Sequence, residues 1–154
     1  MIRYIKGDVL DSNAVYVLHG CNCVGGFGSG VAGQIAKKYP HVKDAYLHKF
    51  RTVGWELGDV QYVSIEKVEY VDNRFIVNCA TQYNYLPRNI NHFDTKAFTK
   101  ILTQVRNAAI CLEQFPSIAM PKIGSGLAGG SWEDAEQIIN EVFGNEIIDV
   151  YVLE

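Results

Sequence analysis

Long apolar runs are missing from this sequence: none approaches the roughly 18 residues that a membrane-spanning helix needs. The opening Met1-Ile-Arg-Tyr-Ile-Lys6 passes straight into Gly7-Asp8, without the apolar segment of a signal peptide. A basic excess is missing too. Fourteen Lys and Arg against 17 Asp and Glu leave a net charge of −3, which argues against the nucleic-acid backbone as a direct partner. Cysteine is sparse, with only Cys21, Cys23, Cys79 and Cys111. That is far below the density of a secreted disulfide scaffold, and reduced, small, buried thiols in a cytoplasmic protein are expected. There is no G-K-[ST] sequence, which excludes a P-loop.

What the sequence has is glycine, and in two places. Ten of its 14 glycines fall at 20–33 and 124–130. The first cluster follows an apolar run, Val15-Tyr-Val-Leu18, and leads into helically spaced Val31, Ala32, Ile35, Ala36 and Tyr39. The second, Pro121-Lys-Ile-Gly-Ser-Gly-Leu-Ala-Gly-Gly130, follows Ser117-Ile-Ala-Met120 and precedes another helix. A strand, a bare-backbone loop and a helix start together present N–H groups and a partial positive charge to an anion. Both loops lie at carboxyl ends of strands, the edge where open α/β sheets bind ligands. A phosphate-bearing ligand clasped between them is the first expectation.

The rest of the chain supplies the frame. Strands are expected at Ile2–Lys6, Ala14–Leu18, Asp59–Glu66, Arg74–Cys79 (within Tyr70–Ala80), Ser117–Met120 and Ile147–Val152, with a hairpin turn at Asp72-Asn73 between the third and fourth. The continuous apolar character of the second predicts burial on both faces. Helices are expected from about Gly30 to Tyr39 and from Pro40 onward, with Val42, Ala45, Tyr46 and Phe50 on one side. Asp94 is the expected N-cap of a third helix, in which Ala97, Phe98, Ile101, Leu102, Val105, Ala108 and Leu112 recur at helical steps. Ser131-x-x-Asp134 resembles a capping box for a fourth, which ends at Phe143 before Gly144-Asn145. Residues 81–93 have no periodicity and are long enough for a lid or binding segment. The pattern predicts one domain, 1–154, with a mixed, mostly parallel central sheet between helical layers.

Gly28-Ser-Gly30-Val-Ala-Gly33 formally matches the dinucleotide-binding G-x-G-x-x-G. The context argues against that fold, since the motif lies well beyond the end of its strand and Pro40 opens a second helix where a strand should follow. Cys21-x-Cys23 beside His19 lacks the spacing and the second ligand pair of a zinc site. No metal ligands and no cofactor are expected. His19 stands where the central strand meets the first loop. It is either a general acid or base, with an ordinary pKa near 6.5, or a histidine satisfied in a crowded core. His41, His48 and His92 fall on a helix surface or in the long loop. Asp8 either caps a turn or accepts from an exocyclic amine, and spacing alone favours the turn.

Gly7-Asp8 after the first strand, Asn22 and Gly28-Ser-Gly30-Val-Ala after the second, and Pro121-Lys-Ile-Gly-Ser-Gly126 after the fifth resemble the macrodomain, a three-layer α/β/α ADP-ribose-binding module. His19-x-Cys-Asn-Cys23, Gln34-x-Ala-x-x-Tyr-Pro40 and Trp132 make the chain similar to the yeast-type ADP-ribose 1″-phosphate phosphatases and to small viral and bacterial macro proteins. The resemblance implies that Asp8, with Val9 beside it, meets the adenine amine and that Asn22 lies at the distal ribose. It implies that Gly28, Ser29, Gly30 and Val31 line one side of the diphosphate, and that Ile123, Gly124, Ser125, Gly126 and Leu127 line the other.

Glycohydrolases of this family use a lysine after the fourth strand and an aspartate in the second loop; the matching positions here are Gln82 and Ala128. Ala128 also stands where many members stack an aromatic on the distal ribose, and Tyr83, Tyr85 or Phe93 is expected to take that place. The implied activity is metal-independent hydrolysis of ADP-ribose 1″-phosphate to ADP-ribose and phosphate, with His19 and Asn22 as catalytic residues. The alternatives are a non-catalytic ADP-ribose-binding module and an ADP-ribosyl hydrolase without a catalytic lysine. ADP-ribosylated macromolecules are the further partners implied.

Overall fold

The computed structural model describes residues 1–68 and 71–153, except for the side chains at 67, 68, 71, 72 and 127. Six strands form one sheet: β1 (Ile2–Lys6), β2 (Tyr16–Cys21), β3 (Val60–Val68), β4 (Val71–Ala80), β5 (Ile118–Pro121) and β6 (Ile148–Val152). Their spatial order is β1-β6-β5-β2-β4-β3. Every neighbouring pair is parallel except β3 and β4, which are antiparallel, so β3 is the odd strand at one edge.

Alternation along the central strands divides the interior into two cores, as the period of two requires. Val17, Ile76 and Ala119 point to one side, where they meet Ile35 of α1 (Gly30–Lys38) and Val42 and Tyr46 of α2 (Pro40–Thr52). Leu18, Val77, Ile118 and Met120 point to the other, against α3 (Thr95–Ala109) and α4 (Trp132–Phe143). The result is a helix–sheet–helix sandwich around a mixed, mostly parallel sheet. Among the described residues no helix is long and apolar enough to cross a membrane.

The helix boundaries follow local chemistry. Asp94 caps α3, its carboxylate accepting from the Ala97 amide at 2.8 Å, and Ala97, Phe98, Ile101, Leu102 and Val105 are buried. Four expectations fail in detail. The buried stripe of α3 ends at Ala109 rather than Ala108, and Leu112 lies exposed beyond the helix. Cys111 is exposed there as well, unlike the other three cysteines. Ser131 makes no side-chain cap for α4, so no capping box forms; Glu133 and Asp134 instead put negative charge at the positive end of the helix. Asp72 and Asn73 belong to β4 rather than to a turn, and residues 69–70 between β3 and β4 lie outside the described residues.

On α2 only Val42 and Tyr46 are fully buried, while Phe50 keeps 38% of its surface exposed. Tyr46 is held by aromatic neighbours: its ring lies 4.9 Å from Phe27 and 5.1 Å from Trp55. In β3 the pairing with β4 shifts register between Ser64 and Glu66 and again between Glu66 and Val68.

Phe98 is fully buried and its ring lies 5.3 Å from that of Phe93. Phe98→Ala should therefore lower stability by about 3–5 kcal/mol, the usual cost of a large aromatic cavity. Urea denaturation measures it, and a loss below about 1 kcal/mol would show that the site collapses around the missing ring.

Candidate ligand-binding and active site

The first glycine loop is tied by one side chain. After β2 the Asn22 amide accepts from the Val24 and Gly26 N–H groups at 3.0 and 3.1 Å and donates to the Gly26 carbonyl at 2.8 Å. The Tyr46 hydroxyl reaches both the carbonyl and the amide oxygen of Asn22, at 2.8 and 2.9 Å. A side chain at Gly26 would force its surroundings to shift: a Cβ there would stand 2.6 Å from the Tyr85 ring. Beyond Gly28 the chain enters α1 through Ser29, which makes no side-chain cap. The leading amides of α1 thus have no internal acceptor. The helix carries no acid in its first turn and Lys37 and Lys38 in its last, so its positive end faces the loop unneutralised.

The second loop depends on Phe93. Gly124 has φ +85°, and a Cβ there would stand 2.6 Å from the Phe93 ring; at Gly130 it would stand 2.5 Å from the Gly124 carbonyl oxygen. Residues 81–93 join the two loops. Gln82 bridges to Phe93, the Cys23 amide donates to the Tyr83 carbonyl at 2.9 Å, and the His92 amide donates to the Ala128 carbonyl at 2.7 Å. Phe93 is thus a buried prop and Tyr83 is mostly exposed. Of the three aromatics expected to cover the site, Tyr85 is the one that lines it.

Between the loops lies a cleft of about 610 Å³, walled by His19, Asn22, Gly28 to Val31 and Ile123 to Gly126. A second compartment of about 290 Å³ contains Asp8, Val9 and Tyr151 and shares Val31, Pro121 and Lys122 with the first. The structure therefore brings together the residues that sequence reading nominated, with Leu127 on the backbone of the same turn and its side chain outside the described set. Asp8 does cap a turn: Oδ1 accepts from the Leu10 amide at 2.9 Å. Its other oxygen has no hydrogen-bond donor among the described residues. Gln82, the position matched to the family's lysine, is a wall of the larger compartment, and sequence reading missed Arg88 and Lys122 as its cations.

His19 sits at the foot of the cleft with 1% of its surface exposed. It pairs in register with Asn78 of β4, and Asn78 with Gln61 of β3. Their side chains form a row. His19 Nε2 lies 2.5 Å from Asn78 Oδ1, Asn78 Nδ2 donates to Gln61 Oε1 at 3.0 Å, and Gln61 Nε2 donates to the Ala45 carbonyl at 3.0 Å. The carbonyl can only accept, which orients both amides and puts the histidine proton on Nε2.

The sequence profile of the Macro domain family matches residues 18–139. This chain belongs to the Macro domain family. The ADP-ribose 1″-phosphate phosphatase of Candida albicans is 29% identical over 163 residues, covering 99% of this chain and 100% of that one. The DNA ADP-ribosyl glycohydrolase of Mycobacterium tuberculosis is 27% identical over 144 residues, 93% of this chain but only 39% of that protein. A solved structure from Bacteroides thetaiotaomicron superposes with a TM-score of 0.84 at 31% identity, covering 98% of this chain and 97% of that one.

In this Macro domain the environment of His19 differs from the ordinary imidazole expected. Burial lowers its pKa to about 4, against a smaller opposing effect of the Asn78 bond. At neutral pH it is uncharged, so it has no imidazolium proton to give; what it has is the lone pair of Nδ1. Cys21 Sγ lies 3.6 Å from Nε2, and burial raises that thiol well above its usual range, which keeps it from acting as a thiolate nucleophile. Among the described residues no three His, Cys, Asp or Glu cluster as metal ligands.

A folded-state pKa below the unfolded value favours folding while His19 is neutral. That contribution is complete above about pH 6.5 and is lost as pH falls toward 4, by up to about 3 kcal/mol. NMR titration should show a His19 ring that does not titrate between about pH 5 and 8. Asn78→Asp places a carboxylate against Nε2 and should raise the pKa into that window; an unmoved titration would show that the row does not control the ring.

Proposed function

We propose that this Macro domain binds ADP-ribose in its two-compartment cleft and hydrolyses ADP-ribose 1″-phosphate to ADP-ribose and inorganic phosphate. Adenine occupies the smaller compartment, its amine donating to the free oxygen of Asp8 beside Val9. The diphosphate lies between the amides of Gly28 to Val31 and those of Gly124 to Leu127. The distal ribose then reaches Asn22 and His19. Water attacks phosphorus, the bond from phosphorus to the anomeric oxygen breaks, and that oxygen takes the proton the water gives up. Loop amides stabilise charge on the phosphoryl oxygens, which is the principal demand of phosphoryl transfer. With a pKa of about 4, His19 orients the water through Nδ1 more than it deprotonates it.

The observation that carries this reading is the facing pair of glycine loops with Gln82 and Ala128 on the cleft wall. Neither of these side chains can supply the lysine or aspartate of the glycohydrolases. The full-length match to a phosphatase points the same way. A second reading, a binding module without turnover, has its own support: the Asn22 amide is occupied by its loop and His19 is buried.

Phosphate release from ADP-ribose 1″-phosphate separates them. Wild type should release phosphate, and His19→Ala should be slower by at least about 100-fold while still binding ADP-ribose. No release by a wild type that binds ADP-ribose would leave the binding module, and equal rates would remove His19 from the mechanism. Asp8→Ala should weaken ADP-ribose by about tenfold and leave pyrophosphate unaffected; equal losses would refute the adenine contact.

A further inference from the structure

The larger compartment is electrostatically one-sided. Among the described residues no Asp or Glu lines it, and its permanently charged side chains are Arg88 and Lys122, in a chain of net charge −3. The two cations are not equivalent. Lys122 lines both compartments and its ammonium lies 5.9 Å from the centre of the Trp132 ring, so it sits at the junction and leans toward α4. Arg88 belongs to the larger compartment alone, with Tyr85, away from the Asp8 end.

The backbone around Arg88 is anchored on both sides. Asn84 Oδ1 accepts from the Tyr85 amide at 2.8 Å, and Gln82 Nε2 donates to the Asn84 carbonyl at 2.8 Å. The His92 ring lies 2.6 Å from the Pro87 carbonyl oxygen, and the Ile90 carbonyl packs on Gly129, where a Cβ would meet it at 2.7 Å. The guanidinium itself has no carboxylate or carbonyl acceptor among the described residues. Those of Arg3 and Arg74 are bonded to Asp149 and Glu66. An arginine fixed at its base, free at its head and unopposed by acid matches a phosphate, whose oxygens accept two parallel N–H bonds.

We propose that Arg88 is a specificity-determining residue that binds a phosphate carried on C1″ of the distal ribose and so selects phosphorylated over plain ADP-ribose. This rests on the reading of the cleft as an ADP-ribose site: with adenine at Asp8, the C1″ end of the ligand lies toward Tyr85 and Arg88. A monoester phosphate there presents a dianion to the fork, whereas the hydroxyl of ADP-ribose presents no charge. A phosphodiester in a nucleic acid carrying ADP-ribose is the other source of the same chemistry, with a single charge farther from C1″.

Calorimetric titration of wild type, Arg88→Gln and Arg88→Lys tests it with three probes: ADP-ribose, its non-hydrolysable 1″-phosphonate, and an oligonucleotide carrying ADP-ribose. Wild type should prefer the phosphonate to ADP-ribose by about ten- to a hundredfold. Arg88→Gln should abolish that preference while changing ADP-ribose affinity by less than about twofold, and Arg88→Lys should keep part of it as a point charge. The proposal is overturned by a preference that survives Arg88→Gln, by none in wild type, by equal losses for both small ligands, or by a loss confined to the oligonucleotide. A wild type that prefers the phosphonate yet releases no phosphate from ADP-ribose 1″-phosphate removes the phosphatase reading and leaves Arg88 standing. A wild type that binds none of the probes removes both.

Discussion

Aromatic rings packed where glycine Cβ atoms would otherwise stand are the contacts on which this cleft depends. Phe93 lies beneath Gly124 and Gly130, and Tyr85 beside Gly26. Each ring comes within the volume a methyl group would need, so backbone and ring settle each other's position. Loops rich in glycine lose much conformational entropy on folding. Here apolar contact offsets part of that cost, and internal bonds take up the amides of Val24, Gly26 and Gly130, while those of Gly28 to Val31 have no acceptor among the described residues.

The row from His19 through Asn78 and Gln61 to Ala45 does the corresponding work for the sheet. Polar side chains in a core are tolerated when each has a partner, and these three complete one another across β2, β4 and β3 before ending on α2. The row ties one wall of the cleft to the helix whose Tyr46 hydroxyl also holds Asn22. Loop shape and histidine tautomer therefore share a single support. Burial sets the chemistry that results: a neutral ring whose orientation is fixed and whose basicity is low.

The frame was readable because its signals are local. Asp94 with its helically spaced followers, Pro40 after Tyr39, and the unbroken apolar run into Leu18 each act over a few residues. The two loops could be paired in advance because parallel sheets place strand ends on a common edge. What could not be read depends on distance in space. Asn78 lies 59 residues from His19, and no periodicity reveals that strand register sets them side by side, nor that the ring is buried deeply enough to lose its usual pKa. Tyr85 and Arg88 sit in a stretch without pattern, where Tyr83 and Phe93 looked equally eligible. Leu112 and Cys111 were misjudged because helical spacing continues past the point at which the chain leaves the core.

The pairing of β1 with β6 has a consequence for how the molecule assembles. Ile2 lies against Ile148, so this ladder closes nearly the whole chain into a loop, whereas β3 and β4 are neighbours in sequence. Contacts of such separation carry the largest closure entropy and form late. The smaller compartment draws on both ends, Asp8 just after β1 and Tyr151 within β6. The larger compartment's loops hang on β2 and β5, at the middle of the sheet. The smaller compartment thus rests on the most sequence-distant ladder of the sheet, Ile2 with Ile148, and the larger one on the somewhat shorter closure that pairs Tyr16 with Ile118.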